Sequence, residues 1–249
     1  YLANTDGTLV IDGDETIGAL AGTGTGAVDI SSGTLTTGDA TNTSYAGTIS
    51  GAGDLVKNGT GTFTATGDIS NNTVTVNVGT LVLSGTNTMG QITVAGATPG
   101  AATLRLESDD AAGGLIRTTG SIIDYADTVN NVTDIEIASN TTQVNVDVGA
   151  AEQSGDIGED VAPRPLEKTG AGTLTLSGMN SYTGTTTISE GTLIASGGSA
   201  IADIGLVTVV SGANFELATS ETVGNLSGAG DVELNANTLT TGGANTNSE

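Results

Sequence analysis

The chain has 249 residues, 39 of them Gly, with Thr more abundant still, and its 28 carboxylates face five cations for a formal net charge of −23. Without His, Cys or Trp it holds no His-based triad, no Cys nucleophile, no zinc site of the usual kind and no disulfide framework. Such acidity repels nucleic acid and anionic membranes, and no apolar run approaches the ~18 residues of a membrane-spanning helix.

The opening, Tyr1-Leu2-Ala3-Asn4, lacks the basic and apolar regions of a signal peptide, so any targeting segment is expected to have been removed or to lie upstream. Helix signals are nearly absent, because Gly or Pro recurs throughout and each interior Gly costs a helix about 1 kcal/mol relative to Ala. What remains is short alternating runs bounded by Gly, Asn and Asp. In chain order they are Thr8-Leu9-Val10-Ile11, Thr62-Phe63-Thr64, Val74-Thr75-Val76-Asn77-Val78 and Leu81-Val82-Leu83. Then come Thr103-Leu104-Arg105-Leu106, Ile135-Glu136-Ile137, Val144-Asn145-Val146-Asp147-Val148 and Thr173-Leu174-Thr175-Leu176. Aliphatic or aromatic residues alternate with polar ones, which predicts strands with one apolar and one polar face.

Spacing decides how the strands stack. Gly-Thr-Leu, once Gly-Thr-Phe, begins at Gly7, Gly33, Gly61, Gly79, Gly172 and Gly191. Self-similarity at roughly 20 to 30 residues marks a solenoid, whereas a sandwich or barrel shows strands every 8 to 12 residues or so. Longer repeats agree. The run from Leu55 to Thr64 matches the run from Leu166 to Thr175, and both continue to a further Gly-Thr-Leu, at Gly79 and Gly191. Glu15–Gly22 resembles Glu221–Gly228, and Thr34–Gly38 recurs as Thr238–Gly242. The expectation is one β-helix segment over 1–249: a partial unit at 1–54, a unit at 55–165, and a unit at 166–249 running into the start of another. The acidic stretch 149–165, closing on Pro163-Arg164-Pro165, is expected to leave the coil as a protruding loop, since Pro removes ladder donors. The narrow interior is expected to suit aliphatics better than Tyr or Trp.

The segment Leu166–Leu193, LEKTGAGTLTLSGMNSYTGTTTISEGTL, closely resembles the autotransporter-associated β-strand repeat of bacterial type V secretion passengers. Leu166, Lys168, Gly170, Gly172, Thr173, Leu174, Gly178, Asn180, Tyr182, Thr183, Gly184, Gly191, Thr192 and Leu193 fall on the motif. The copy at Leu55 departs from it, with Asn71-Asn72 where the other has Tyr182-Thr183, which predicts a different turn. The resemblance implies an extracellular right-handed parallel β-helix, exported through an outer-membrane barrel; at this rung length the chain makes roughly ten to twelve rungs. It implies no activity.

Paired carboxylates are the only candidate catalytic chemistry: Asp12-Gly13-Asp14-Glu15, Asp109-Asp110 and Asp156-Ile157-Gly158-Glu159-Asp160. Polysaccharide hydrolases do work with Asp or Glu pairs, but the scarcity of basic and aromatic residues favours solvated turns. No catalytic or cofactor-binding residue is assigned. Weak calcium binding is the one cofactor-like use these clusters leave open, and its ligands stay unnamed. Lys57 and Lys168 share a motif position and read as structural, neutralising Asp54 or Glu167 or covering a turn with the aliphatic stem. Arg105, facing outward between Leu104 and Leu106, reads the same way. Thr-x-Thr runs at Thr34, Thr62, Thr73 and Thr173 invite an ice-binding reading, which needs one flat array on every rung. Asn58-Gly59-Thr60 is a glycosylation match expected by chance in a Thr-rich chain.

The sequence therefore predicts an all-β parallel β-helix on the bacterial cell surface or released from it. It serves adhesion, autoaggregation or biofilm scaffolding without catalysis, and binds host or cell-surface ligands or copies of itself. A head-to-tail filament or surface layer is the alternative, and a polysaccharide-acting enzyme ranks third. Neither nucleic acid nor membrane insertion by this segment is expected.

Overall fold

A computed structural model of the chain describes residues 2–3, 7–85, 87–95, 101–107, 115–118, 122–125, 129–131, 133–138, 141–161 and 163–242. Among them there is no helix: the fold is all-β, a parallel solenoid of about ten turns. It comprises two compact units, Tyr1–Asp124 and Tyr125–Glu249.

In the first unit the chain lays its strands on three sides as it circles. One side stacks Thr8–Asp12, Ala27–Ser32, Ile49–Gly51 and Ile69–Asn71. The next stacks Glu15–Ile17, Thr34–Thr37, Asp54–Lys57, Thr73–Val76, Gln91–Val94 and Leu115–Thr118. The third stacks Thr43–Tyr45, Thr62–Ala65, Gly79–Leu83 and Ala102–Leu106. Pairing is parallel because the chain returns to each side in the same direction one rung later. Register then stacks like on like: Leu35 meets Leu55 and Val74 meets Ile92, while Phe63, Leu81 and Leu104 form another column. Every one of these is fully buried, each contributing ~1.5–3 kcal/mol.

The second unit repeats the plan. Thr142–Asn145, Leu166–Thr169, Thr186–Ile188, Leu206–Val209 and Asn225–Gly228 form one stack. Asn130–Asn131, Ala150–Gln153, Thr173–Leu176, Thr192–Ala195, Asn214–Leu217 and Asp231–Glu233 form another. Ile135–Ile137 pairs with Ile157–Glu159, and Glu221–Val223 with Leu239–Thr241. The last pairing puts Glu221 opposite Leu239, just as Glu15 stands opposite Leu35 in the first unit. The likeness between the two stretches of sequence is thus a likeness of rungs.

Three expectations are corrected. The segment 149–165 is not one protruding loop: Ala150–Gln153 and Ile157–Glu159 are strands of the coil, and only the residues around Pro163-Arg164-Pro165 connect. Glu152 faces outward and Glu159 is half-buried with hydrogen-bond partners, so charge alone did not exclude them from the ladder. The run Val144–Val148 closes early, its strand ending at Asn145, and Val148 is 71% exposed beside Gly149, whose φ of +74° turns the chain. Most tellingly, Tyr45, Phe63, Tyr125, Tyr182 and Phe215 are all buried. Phenols are tolerated inside because partners reach them there: the Tyr45 hydroxyl donates to the Gly26 carbonyl (2.6 Å) and Tyr182 shares a hydrogen bond with Thr186 (2.7 Å). The two motif copies do differ at their turns, with strand Ile69–Asn71 in one and no strand at Tyr182 in the other.

Candidate functional site

The most distinctive chemistry lies where the two motif copies turn a corner. Burial alternates along Asp54–Lys57 and Leu166–Thr169, so Lys57 shares the inward face with Leu55, and Lys168 with Leu166. Both lysines are 1% exposed. Lys57 Nζ donates to the carbonyls of Asn58 (2.7 Å), Gly59 (2.8 Å) and Val78 (3.1 Å). Lys168 Nζ does the same with Thr169 (2.7 Å), Gly170 (2.8 Å) and Glu190 (3.3 Å). In each case two acceptors belong to the lysine's own corner and the third to the next rung, just before its Gly-Thr-Leu. The ammonium is therefore a clasp between successive rungs. Gly59 and Gly170 (φ +74° and +78°) make the turn that aims those carbonyls inward, a conformation only Gly adopts readily.

This corrects the expected ion pairs. Asp54 accepts from the Thr73 amide (3.1 Å) and hydroxyl (2.8 Å), and Glu167 from Gln143 (2.9 Å) and Ser189 (2.5 Å). Burial lowers the pKa of both lysines; it brings Lys168 to about 8 against the opposing pull of Glu190 and Asp147, while Asp39 opposes the shift at Lys57.

The other carboxylates singled out in the sequence do not converge. Asp12 accepts from Ser32 (2.7 Å) and Asp14 caps the Thr34 amide (3.0 Å) one rung on. Asp156 caps the Met179 amide (2.7 Å), Glu159 binds the Arg164 amide (2.7 Å) and the Thr183 hydroxyl (2.5 Å), and Asp160 pairs with Arg164 Nε at 3.1 Å. Asp109 and Asp110 lie outside the described residues. Among the described residues no three acidic side chains gather as metal ligands would. The acidic surplus is in part structural: carboxylates at corners satisfy amide donors of neighbouring rungs. Arg105 is engaged as expected, pairing with Glu107 (3.2 Å) and Asp124. Thr ladders form only in part; the column Thr16, Thr36, Val56, Thr75, Thr93 is broken by Val56.

Sequence reasoning missed a buried polar column. Asn180 accepts from the Ile157 amide (2.7 Å) and donates to the Ala200 carbonyl (2.6 Å). One rung on, Glu221, 3% exposed, accepts from the amides of Ala200 (3.4 Å) and Ile201 (3.3 Å), and burial raises its pKa above the usual range. The motif's Asn was visible in the sequence; its inward aim was not. Also missed was a degenerate third copy. Ser50-Gly51-Ala52-Gly53-Asp54 recurs as Ser227-Gly228-Ala229-Gly230-Asp231, but Leu234 stands where Lys57 does and Ala236, at φ +64°, where Gly59 does.

Residues 166–195, which contain the Lys168 clasp, match the family model of the passenger-associated-transport-repeat, a repeat found in autotransporter passengers. Neither a curated protein nor a solved structure matches the chain.

Proposed function

We infer that the chain is a stretch of an extracellular passenger whose task is to present its sides, for adhesion, autoaggregation or biofilm scaffolding, without catalysis. The observation that carries this reading is the matched repeat seated as a working part of the coil, with the same lysine clasp in its second copy at Lys57. Two features support it. Among the described residues, Asp12, Asp14 and Asp156 of the candidate pairs bond to neighbouring rungs instead. The described aromatics, which sugar-cleaving grooves use as platforms, are inside.

The test expresses the parent reading frame in a Gram-negative host and treats intact cells with protease. Loss of the chain's epitope together with loss of cell clumping supports the reading. An epitope protected until lysis, or clumping indifferent to removal of residues 1–249, sinks it. Electron micrographs of the purified chain at rising concentration separate this from the filament alternative, which requires particles that lengthen.

A further inference from the structure

The corner closed by Lys57 carries a reactive dipeptide that the passenger reading leaves unused. Asn58-Gly59 is the only Asn-Gly step in the chain. The second copy has Thr169-Gly170 in its place, with the same three-bond clasp but no side-chain amide. Asn58 and Gly59 are both half-buried, so water reaches them. The backbone N–H of Asn58 donates to the Thr37 carbonyl (2.8 Å), whereas the Gly59 N–H has no acceptor among the described residues.

Two donors stand at the atoms where charge develops if this step reacts with itself. Lys57 Nζ donates to the carbonyl oxygen of Asn58 (2.7 Å), which belongs to the same peptide group as the Gly59 N–H. Loss of that proton spreads negative charge from the nitrogen to this oxygen, where a fixed ammonium stabilises it. Asn77 Nδ2 donates to Asn58 Oδ1 (3.1 Å) and polarises the side-chain carbonyl. We propose that Asn58-Gly59 is a self-modifying site, at which the Gly59 nitrogen attacks Asn58 Cγ with Lys57 and Asn77 promoting the step. The N–Cγ bond forms, the Cγ–Nδ2 bond breaks, and the proton given up by Gly59 leaves on ammonia. The five-membered imide then takes up one water. Opening at Cγ gives Asp, and opening at the former backbone carbonyl gives isoaspartate. In isoaspartate the carbonyl that Lys57 grips has become a free carboxylate. The buried ammonium, whose three partners are neutral carbonyls, thereby acquires a counter-ion. This is a property of the folded corner and stands apart from the adhesive reading, so either can fail without the other.

The experiment incubates the purified, folded chain at neutral pH and maps its peptides by mass spectrometry, with isoaspartyl methyltransferase labelling to tell isoaspartate from Asp. A synthetic peptide spanning residues 55–61 gives the rate of the same step without the fold. Asn58 should convert about tenfold faster in the chain than in the peptide, a modest share of what one well-placed donor contributes in an enzyme site. Isoaspartate should be the main product. Lys57→Met should bring the rate down to that of the peptide or below. Thr169→Asn leaves the Lys57 corner untouched and should create a second site beside Lys168, again faster than in its own peptide. Asp12, also followed by Gly, should stay unmodified, because the Gly13 amide is tied to the Ser32 carbonyl (3.2 Å). Conversion no faster in the chain than in the peptide, a Lys57→Met chain reacting as fast as wild type, or an intact position 169 would each overturn the proposal. Equal conversion at Asp12 would show that the corner adds nothing to the dipeptide and overturn it too.

Discussion

Lys168→Met tests the clasp most directly, because Met keeps most of the aliphatic stem and removes three donors. Two of the lost bonds are short, 2.7 and 2.8 Å, and the third is 3.3 Å. A hydrogen bond from a charged group contributes about 1.5–3 kcal/mol, and a buried carbonyl left without a donor costs about 1–3 kcal/mol. Removing the ammonium also removes its desolvation, which offsets several kcal/mol of that loss. The net expectation is a destabilisation of about 2–3 kcal/mol. Rungs of a solenoid are coupled chiefly to their neighbours, so the effect should be local. Urea unfolding followed by circular dichroism reads the total, and hydrogen exchange at the amides of residues 166–195 reads the location. A Met variant within about 0.5 kcal/mol of wild type, with unchanged protection at Gly170 and Gly191, would refute the clasp.

The same residue gives a pH signature. In the folded chain burial holds Lys168 at about 8, below the ordinary 10.5. Between those values the unfolded chain binds a proton that the folded chain does not, so stability rises with pH across the window and is lost as pH falls through about 8. The wild-type curve should climb from pH 8 toward 10.5, and the Lys168→Met curve should lack that climb.

Glu221 should behave with the opposite slope. Its raised folded-state pKa means that stability is greatest below the ordinary 4.5 and declines as pH rises through the shifted value. Glu221→Gln keeps an acceptor for the Ala200 and Ile201 amides, so it should match wild type at pH 4 and exceed it in urea midpoint at pH 7. Gly59→Ala forces a side chain into φ +74° with its Cβ 2.4 Å from the Asp39 carbonyl oxygen; left-handed strain and the clash together predict a loss of about 2–4 kcal/mol, checked by thermal melting. Ala236→Gly relieves the same strain at an exposed corner, φ +64°, and should raise stability by about 0.5 kcal/mol, the relief outweighing the added freedom of the unfolded chain.

Much of the site was legible, though its meaning was misread. The phase of Leu55-Val56-Lys57 and of Leu166-Glu167-Lys168 already put each lysine on the face of its neighbouring leucine, two residues away. Charge argued the other way, toward the surface and Asp54 or Glu167. Phase won, because the corner supplies three carbonyls that replace the ammonium's water. Asn180 falls on the motif, yet its partners Ile157 and Ala200 lie one rung before and one rung after. Partners that distant leave no trace in local pattern.

What the sequence determined by itself is the strand as a unit and the rung as a period. Alternation of apolar and polar residues specifies which face of a strand is dry, and recurrent Gly specifies where the chain turns; both are local properties of the backbone. Only the tertiary structure decided what fills the interior and what the charges do. It drew Tyr45, Tyr125 and Tyr182 inside, turned corner carboxylates into caps for the next rung, and made coil of most of 149–165. Each of those outcomes depends on atoms roughly 20 residues away in sequence but one ~4.8 Å step away in space, and that step exists only after the rungs have stacked.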